Sequence, residues 1–269
     1  LSGMSLDQLL EYEVGDFPAG KLILPSLRWI LRRHHLNDDE DTCYLTREYI
    51  LSALNLKKQF EKVVEELNPL AVVVFNGMFY PEAALRWVAQ KRGLPVYSHE
   101  VGMLPLSAFF TDQEATAYPV KVDDDFHLTQ EQNRILDEFL SRRVQGKFVT
   151  AGIQFWPEMK SLDARFLEKI ARFKAMVPVF TNVVFDTSQS HANVIFEHMF
   201  QWLDAVLAAI KTHPDILFVI RAHPDELRPG KESRETVSQW VETNGVEQLP
   251  NVVFIAPDRY VSSYELIQQ

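Results

Sequence analysis

The chain carries a single cysteine, Cys43, among 269 residues. A lone thiol excludes an intrachain disulfide framework and fits a reducing compartment. Glycine is scarce as well, ten in all. None stands in a Gly-x-Gly-x-x-Gly or Walker-type loop, so phosphate binding through a glycine-rich loop is not expected. No run of about 18 apolar residues occurs, and no membrane span is predicted. The residues after Leu1 do not read as a signal peptide. No Cys/His cluster with metal-ligand spacing appears; the adjacent pair His34-His35 would point apart on a helix. Positive charge is also in deficit. Twenty-seven Lys and Arg against 37 Asp and Glu leave a net charge of −10, which argues against a broad nucleic-acid surface but not against a local basic pocket.

What is present is periodic. Length allows two modest domains or one large one. Helical spacing is read over 5–12, 22–35 and about 46–67, with Asn37-Asp-Asp-Glu-Asp41 as an acidic loop and Thr46 as a cap for the third helix. The β-branched run 70–75 predicts a buried strand ending at Asn76-Gly77. Pro81 opens a helix to Gln90, and 95–98 is a second strand. Such a strand–helix–strand unit implies parallel pairing with a right-handed crossover. His99-Glu100 then stands at a strand's carboxyl end. Residues 103–122 show no period and read as a long loop, a class that often carries function. Helices are expected over 129–143 and 162–176, with an irregular aromatic stretch between them.

The second half repeats the pattern: strand 177–184, polar loop 186–192, helix 194–211, strand 216–220, helix 233–244, strand 251–255, and a helix starting at Ser262. The most informative stretch is Leu217-Phe-Val-Ile-Arg-Ala-His-Pro-Asp-Glu226. A short apolar run bounded by polar residues and proline reads as a parallel strand buried on both faces. Arg221 and His223 stand at its carboxyl end, where open α/β sheets collect ligands, and Pro224 stops the strand. A fixed cation beside an imidazole suits a phosphate or a sugar acid. The same His-Pro-Asp letters at His213 follow a helical pattern, so His213 reads as a surface residue at a helix stop.

The ordered set Val177-Pro-Val-Phe-Thr-Asn182, Asp186, Val219-Ile-Arg-Ala-His-Pro224, Pro250-Asn-Val-Val-Phe254 and Ser262-Ser-Tyr-Glu-Leu-Ile267 resembles bacterial capsule polysaccharide biosynthesis proteins. Those are GT-B-type glycosyltransferases, similar in plan to transferases that use CMP-linked sugar acids. The resemblance covers 177–267, and more loosely Asn76-Gly77 and the segment His99 to Pro105. It implies an α/β fold of two Rossmann-like parallel-sheet halves (GT-B-like), an acceptor-side domain over 1–160 and a nucleotide-sugar donor domain over 161–269. Family members continue past the Ser-Ser-Tyr-Glu helix into a further strand and helix. The second half therefore reads as incomplete and the chain as carboxyl-truncated.

The resemblance further implies transfer of a sugar from a CMP- or UDP-linked donor to a glycan or lipid-linked acceptor, without metal or cofactor. Localisation is expected to be cytoplasmic, with at most peripheral membrane contact at the inner face, and a homodimer is compatible. Arg221, His223 and Pro224 would face the donor phosphate, and His223 could donate to the leaving oxygen; the plain alternative is that Arg221 pairs with Asp225 or Glu226 and His223 caps a loop. Thr181, Asn182 and Asp186, with Thr187 and Ser188, suit ribose or phosphate as well as ordinary turn capping. Ser262, Ser263, Tyr264 and Glu265 open a helix near the nucleotide, with capping as the plain role. Glu100 or His99 could deprotonate an acceptor hydroxyl, or the pair could serve as loop hydrogen bonders. Asn76 and Gly77 belong to the acceptor side or to a plain strand-to-helix turn. Phe155, Trp156, Phe109 and Phe110 suit sugar stacking less well than core or subunit contact. His191 is open between the two roles, and His198 reads as structural. Alternatives are a nucleotide-sugar epimerase of the same fold and a non-catalytic scaffold or interaction protein.

Overall fold

A computed structural model of the chain describes residues 1–102, 104, 106–144 and 159–269. The chain forms two compact units, one from 1–120 and 185–192, the other from 121–184 and 193–269. Both are α/β, each built on a three-stranded sheet that contains parallel strands. These are the two Rossmann-like halves expected from the alternation of strand and helix patterns.

The first unit begins with helices α1 (Leu6–Leu10), α2 (Ala19–Leu31) and α3 (Glu40–Leu67). Ser5 and Gln8 cap α1 reciprocally, satisfying two otherwise orphan N–H groups. α3 starts earlier than its periodicity indicates. Asp39, not Thr46, is the cap, accepting from Thr42 N at 2.8 Å. Glu40 and Asp41 then occupy the first turn, where the helix dipole favours negative charge. Phe17, Leu9, Ile23, Leu27 and Ile50 are fully buried between these helices. Strand β1 (Val72–Phe75), helix α4 (Tyr80–Lys91) and strand β2 (Val96–Val101) follow. β1 and β2 are parallel, as the strand–helix–strand pattern requires. The expected loop 103–122 contains a further strand, β3 (Ala108–Thr111), antiparallel to β2. Four residues are too few for alternation to show, and only Phe109 and Phe110 hint at it.

The second unit starts with α5 (Gln130–Val144) and the short α6 (Ala164–Ile170). Strands β4 (Ala175–Phe180), β5 (Ile216–Arg221) and β6 (Val252–Ile255) are all parallel, in that spatial order. The segment 185–192, which ends in the four-residue helix α7 (Gln189–Ala192), belongs to the first unit. Helix α8 (Met199–Thr212) connects β4 to β5, and α9 (Val237–Thr243) connects β5 to β6. α8 starts at Met199 rather than at 194, because His198 caps it by accepting from Gln201 N at 3.1 Å. Leu217, Val219 and Ile220 are fully buried, as a central parallel strand demands. α10 (Ser263–Gln268) covers one face, burying Leu266. The expected domain boundary near 160 differs from the compact units, because α5 belongs with the second. Among the described residues no helix is long and apolar enough to cross a membrane.

Candidate functional site

β4 and β5 end side by side in the second unit, with Phe180 paired to Arg221. Just beyond them lies a cavity of about 410 Å3 lined by Thr181, Arg221, Ala222, His223 and Pro224, by Ser263, Tyr264 and Ile267 of α10, and by Phe180, Met159 and Arg143. The carboxyl-end rule thus places the Arg-x-His-Pro element in one pocket with part of the Ser-Ser-Tyr-Glu element.

Arg221 is 3% exposed. Its Nη1 donates to the Ala222 carbonyl at 2.8 Å, while Nε is buried without a partner among the described residues. The sequence allows Asp225 or Glu226 to neutralise it, and neither does. Asp225 lies 3.7 Å from Arg228, and Glu226 accepts from the backbone N–H of Val237 at 2.9 Å. Burial alone pushes the guanidinium below its ordinary value. A buried cation without a carboxylate is costly, and a ligand anion would offset that cost. His223 Nδ1 accepts from Asp225 N at 3.2 Å, which leaves the proton of the neutral ring on Nε2.

The other expected donor-side residues divide by role. Thr181 lines the cavity, and its hydroxyl donates to the Arg221 carbonyl at 3.1 Å. Asn182 turns its side-chain oxygen onto Val183 N at 2.8 Å. Ser262 is 3% exposed and caps α10 through Glu265 N at 3.4 Å. Glu265 accepts from Leu162 N at 2.7 Å. Ser263 and Tyr264 therefore reach the cavity, and Ser262 and Glu265 hold the helix that presents them. Asp186 stands apart, in the first unit, accepting from Ser188 N at 2.9 Å and Ser188 Oγ at 2.6 Å. Arg143 has no sequence signal; it is one arginine near the end of an exposed helix, placed by tertiary packing.

In the first unit a second polar group forms where β1 and β2 end. Asn76 is 4% exposed and left-handed, with φ of 59°. Its Nδ2 donates to Glu100 Oε1 at 2.7 Å and reaches Thr187 Oγ1 at 3.4 Å. Its Oδ1 accepts from Met78 N at 3.0 Å. Its own N–H donates to the His99 carbonyl at 2.8 Å, and its carbonyl accepts from Ala115 N at 3.2 Å. Asn76 thus acts as a clamp that orients Glu100. Gly77, with φ of +88°, gives the turn the conformation that glycine adopts without strain. His99 and Glu100 are not brought together. Successive strand residues face opposite sides, and His99 packs between Phe75 and Phe110, with ring centroids 5.4 and 5.2 Å away.

Tyr118, which the sequence did not single out, belongs to this group. Burial raises its phenol above the ordinary range, and the carboxylates of Glu100 and Asp186 raise it further. His191 pairs its Nε2 with Thr116 Oγ1 at 3.0 Å. Phe155 and Trp156 lie outside the described residues. Among the described residues no group of three or more His, Cys, Asp or Glu side chains is placed to hold a metal ion.

No protein-family model matches the chain, and no curated protein matches it. Among solved structures, the S. aureus MnaA–UDP co-structure is similar at 14% sequence identity and a TM-score of 0.27, over 80% of this chain and 53% of that one. The chain thus spans about half the length of that neighbour, and a likeness of this degree decides nothing about the ligand.

Proposed function

We propose that the second unit binds the phosphate-bearing end of a nucleotide sugar, and that the protein is a metal-independent glycosyltransferase of bacterial capsule or surface-polysaccharide synthesis. One observation carries the binding half. In a chain of net charge −10, the cavity is lined by Arg221, Arg143 and His223 and, among the described residues, by no acidic side chain. Arg221 is buried there without an ion-pair partner among the described residues. Such a site favours an anion. Its volume suits a small-molecule ligand, and the apolar wall of Met159, Phe180, Tyr264 and Ile267 favours a nucleotide over bare phosphate.

The transfer half rests on chemistry and on the ordered motif set. Departure of a nucleotide leaves negative charge on its phosphate, which Arg221 would stabilise and to which His223 Nε2–H would donate. Glu100, oriented by Asn76, is the candidate base for an acceptor hydroxyl. Because His99 faces away from it, Glu100 is the better candidate of the two. The acceptor is a glycan or lipid-linked glycan.

Calorimetric titration of UDP and CMP against the parent, Arg221→Met and His223→Ala tests the binding half. R221M is expected to lose about 30- to 100-fold in affinity. It should melt no lower than the parent, because methionine removes an uncompensated buried charge. Parent-like affinity in both variants would overturn the assignment. Conversion of a UDP-sugar without any acceptor would move the reading from transferase to epimerase.

A further inference from the structure

Directly behind the cavity wall lies a carboxyl group that the proposed reaction does not use. Glu226 sits in the single turn Pro224–Leu227 that follows His223. It is fully buried. Its backbone N–H donates to the His223 carbonyl at 3.0 Å, and its backbone carbonyl accepts from Ser233 N at 2.8 Å. Oε1 accepts from Val237 N, the first residue of α9, at 2.9 Å. Among the described residues Oε2 has no partner, and neither does the buried Ser233 Oγ. One side chain therefore ties the turn that carries the cavity residues His223 and Pro224 to the start of the next helix.

The charged groups around it leave it alone. Asp225 faces Arg228 within the same turn. Arg221 of β5 bonds the Ala222 carbonyl. Under α9, Asp204 of α8 accepts from Trp240 Nε1 at 2.9 Å. Lys231, Glu232, Arg234 and Glu235 occupy the connecting loop. None of these shifts Glu226; burial raises it from 4.5 to about 7, opposed by the Val237 N–H. A dry oxygen without a donor is tolerated far better as a hydroxyl than as an anion.

We propose that Glu226 is a positioning residue whose neutral, protonated form holds the Pro224–Leu227 turn against α9, so that anion binding in the adjacent cavity is coupled to proton uptake. An anion beside Ala222–Pro224 and an ionised carboxyl in the same dry turn repel. Binding therefore favours the protonated form, and by reciprocity affinity falls as Glu226 ionises. The clamp stands on the geometry of Glu226 itself; only the coupling rests on the nucleotide reading.

The sign is unusual for a carboxyl. Its folded value lies above its ordinary one, so the stability it lends is complete below about 4.5 and is lost as pH rises through about 7. Glu226→Gln keeps an oxygen for Val237 N and cannot ionise. Melting temperatures of the parent and E226Q between pH 5 and pH 8 are expected to diverge by about 5 °C in the variant's favour. Glu226→Met should show the same divergence. Curves that run parallel for both variants would overturn the clamp. UDP and CMP are then titrated at pH 7 in two buffers of different ionisation enthalpy. The parent takes up more protons on binding than E226Q does, because the two proteins bind the same nucleotide and differ only at residue 226. Uptake unchanged in E226Q would overturn the coupling. If neither nucleotide binds the parent, the nucleotide reading and the coupling fall together, and the melting comparison alone decides the clamp.

Discussion

Arg143 donates from Nη1 to the Tyr264 hydroxyl at 2.8 Å, joining the last turn of α5 to the first turn of α10. The guanidinium also lies over the Phe139 ring, 4.7 Å from its centroid. A planar cation held by a ring and a hydroxyl is pre-organised, so little side-chain freedom remains to be lost when an anion arrives. Tyr264→Phe removes one anchor and leaves the ring. Its cost in stability is expected to be about 1 kcal/mol, with UDP affinity reduced several-fold. Thermal melting and calorimetric titration check both; unchanged affinity would exclude Arg143 from the ligand.

The Asn76–Glu100 contact makes a different demand. Asn76→Asp keeps size and tolerance of the left-handed conformation but sets a carboxylate where Nδ2 donates to Glu100 at 2.7 Å. Two like charges, one buried at position 76 and one half-buried at Glu100, should destabilise the variant by about 1–2 kcal/mol at neutral pH. Adding Glu100→Gln sets a side-chain amide donor opposite the introduced carboxylate and should recover most of the loss. Urea denaturation of the two single variants and the double variant measures the coupling. Additive effects would show that the contact has no energetic role.

Strand ends were legible in the sequence, because an apolar run that stops at Arg221 has one physical reading in an α/β chain. Side-chain partners were not. Asp225 and Glu226 both stand within reach of Arg221 along the chain, and only the folded turn sends one to Arg228 and the other to Val237 N. Local capping is legible at Ser262 but not at Asp39, where an acidic run resembles a loop as closely as it resembles a first helical turn. β3 and Arg143 carried too little local signal, since four residues show no period and a lone arginine on a helix gives no direction. The placement of Asp186 with Tyr118 and Glu100 is a long-range fact that no spacing contains.

Gly77 offers a test of backbone strain at the first unit's polar group. Its φ is +88°, and an added Cβ would meet Arg86 Cδ at 3.1 Å and Ser98 Cβ at 3.2 Å. Arg86 is already fixed by the Gly77 carbonyl and Glu114, each 3.0 Å away. Gly93 is the control, with φ of +69° and nothing within 4 Å of a Cβ. Gly77→Ala should cost about 2–3 kcal/mol and Gly93→Ala about 1 kcal/mol. Chemical denaturation of the two variants checks the difference, and equal costs would show that Arg86 and Ser98 yield freely.

Tyr118 reports whether the carboxylates of the first unit share one environment. Its phenol is raised by burial first, then by Glu100, then by Asp186. A phenol raised in the folded state keeps its stability contribution below its ordinary value of about 10 and loses it as pH rises through the folded value. The side chain is 45% exposed, so solvent screens the carboxylates and no large energy follows. The titration itself remains measurable as the absorbance difference between the parent and Tyr118→Phe. Glu100→Gln removes one negative neighbour and should lower the Tyr118 midpoint, with Asp186→Asn lowering it less, in the order of the two charge effects. If neither substitution moves the midpoint, Tyr118 lies outside the field of both carboxylates, and Glu100 loses the polar surroundings that recommend it as a base.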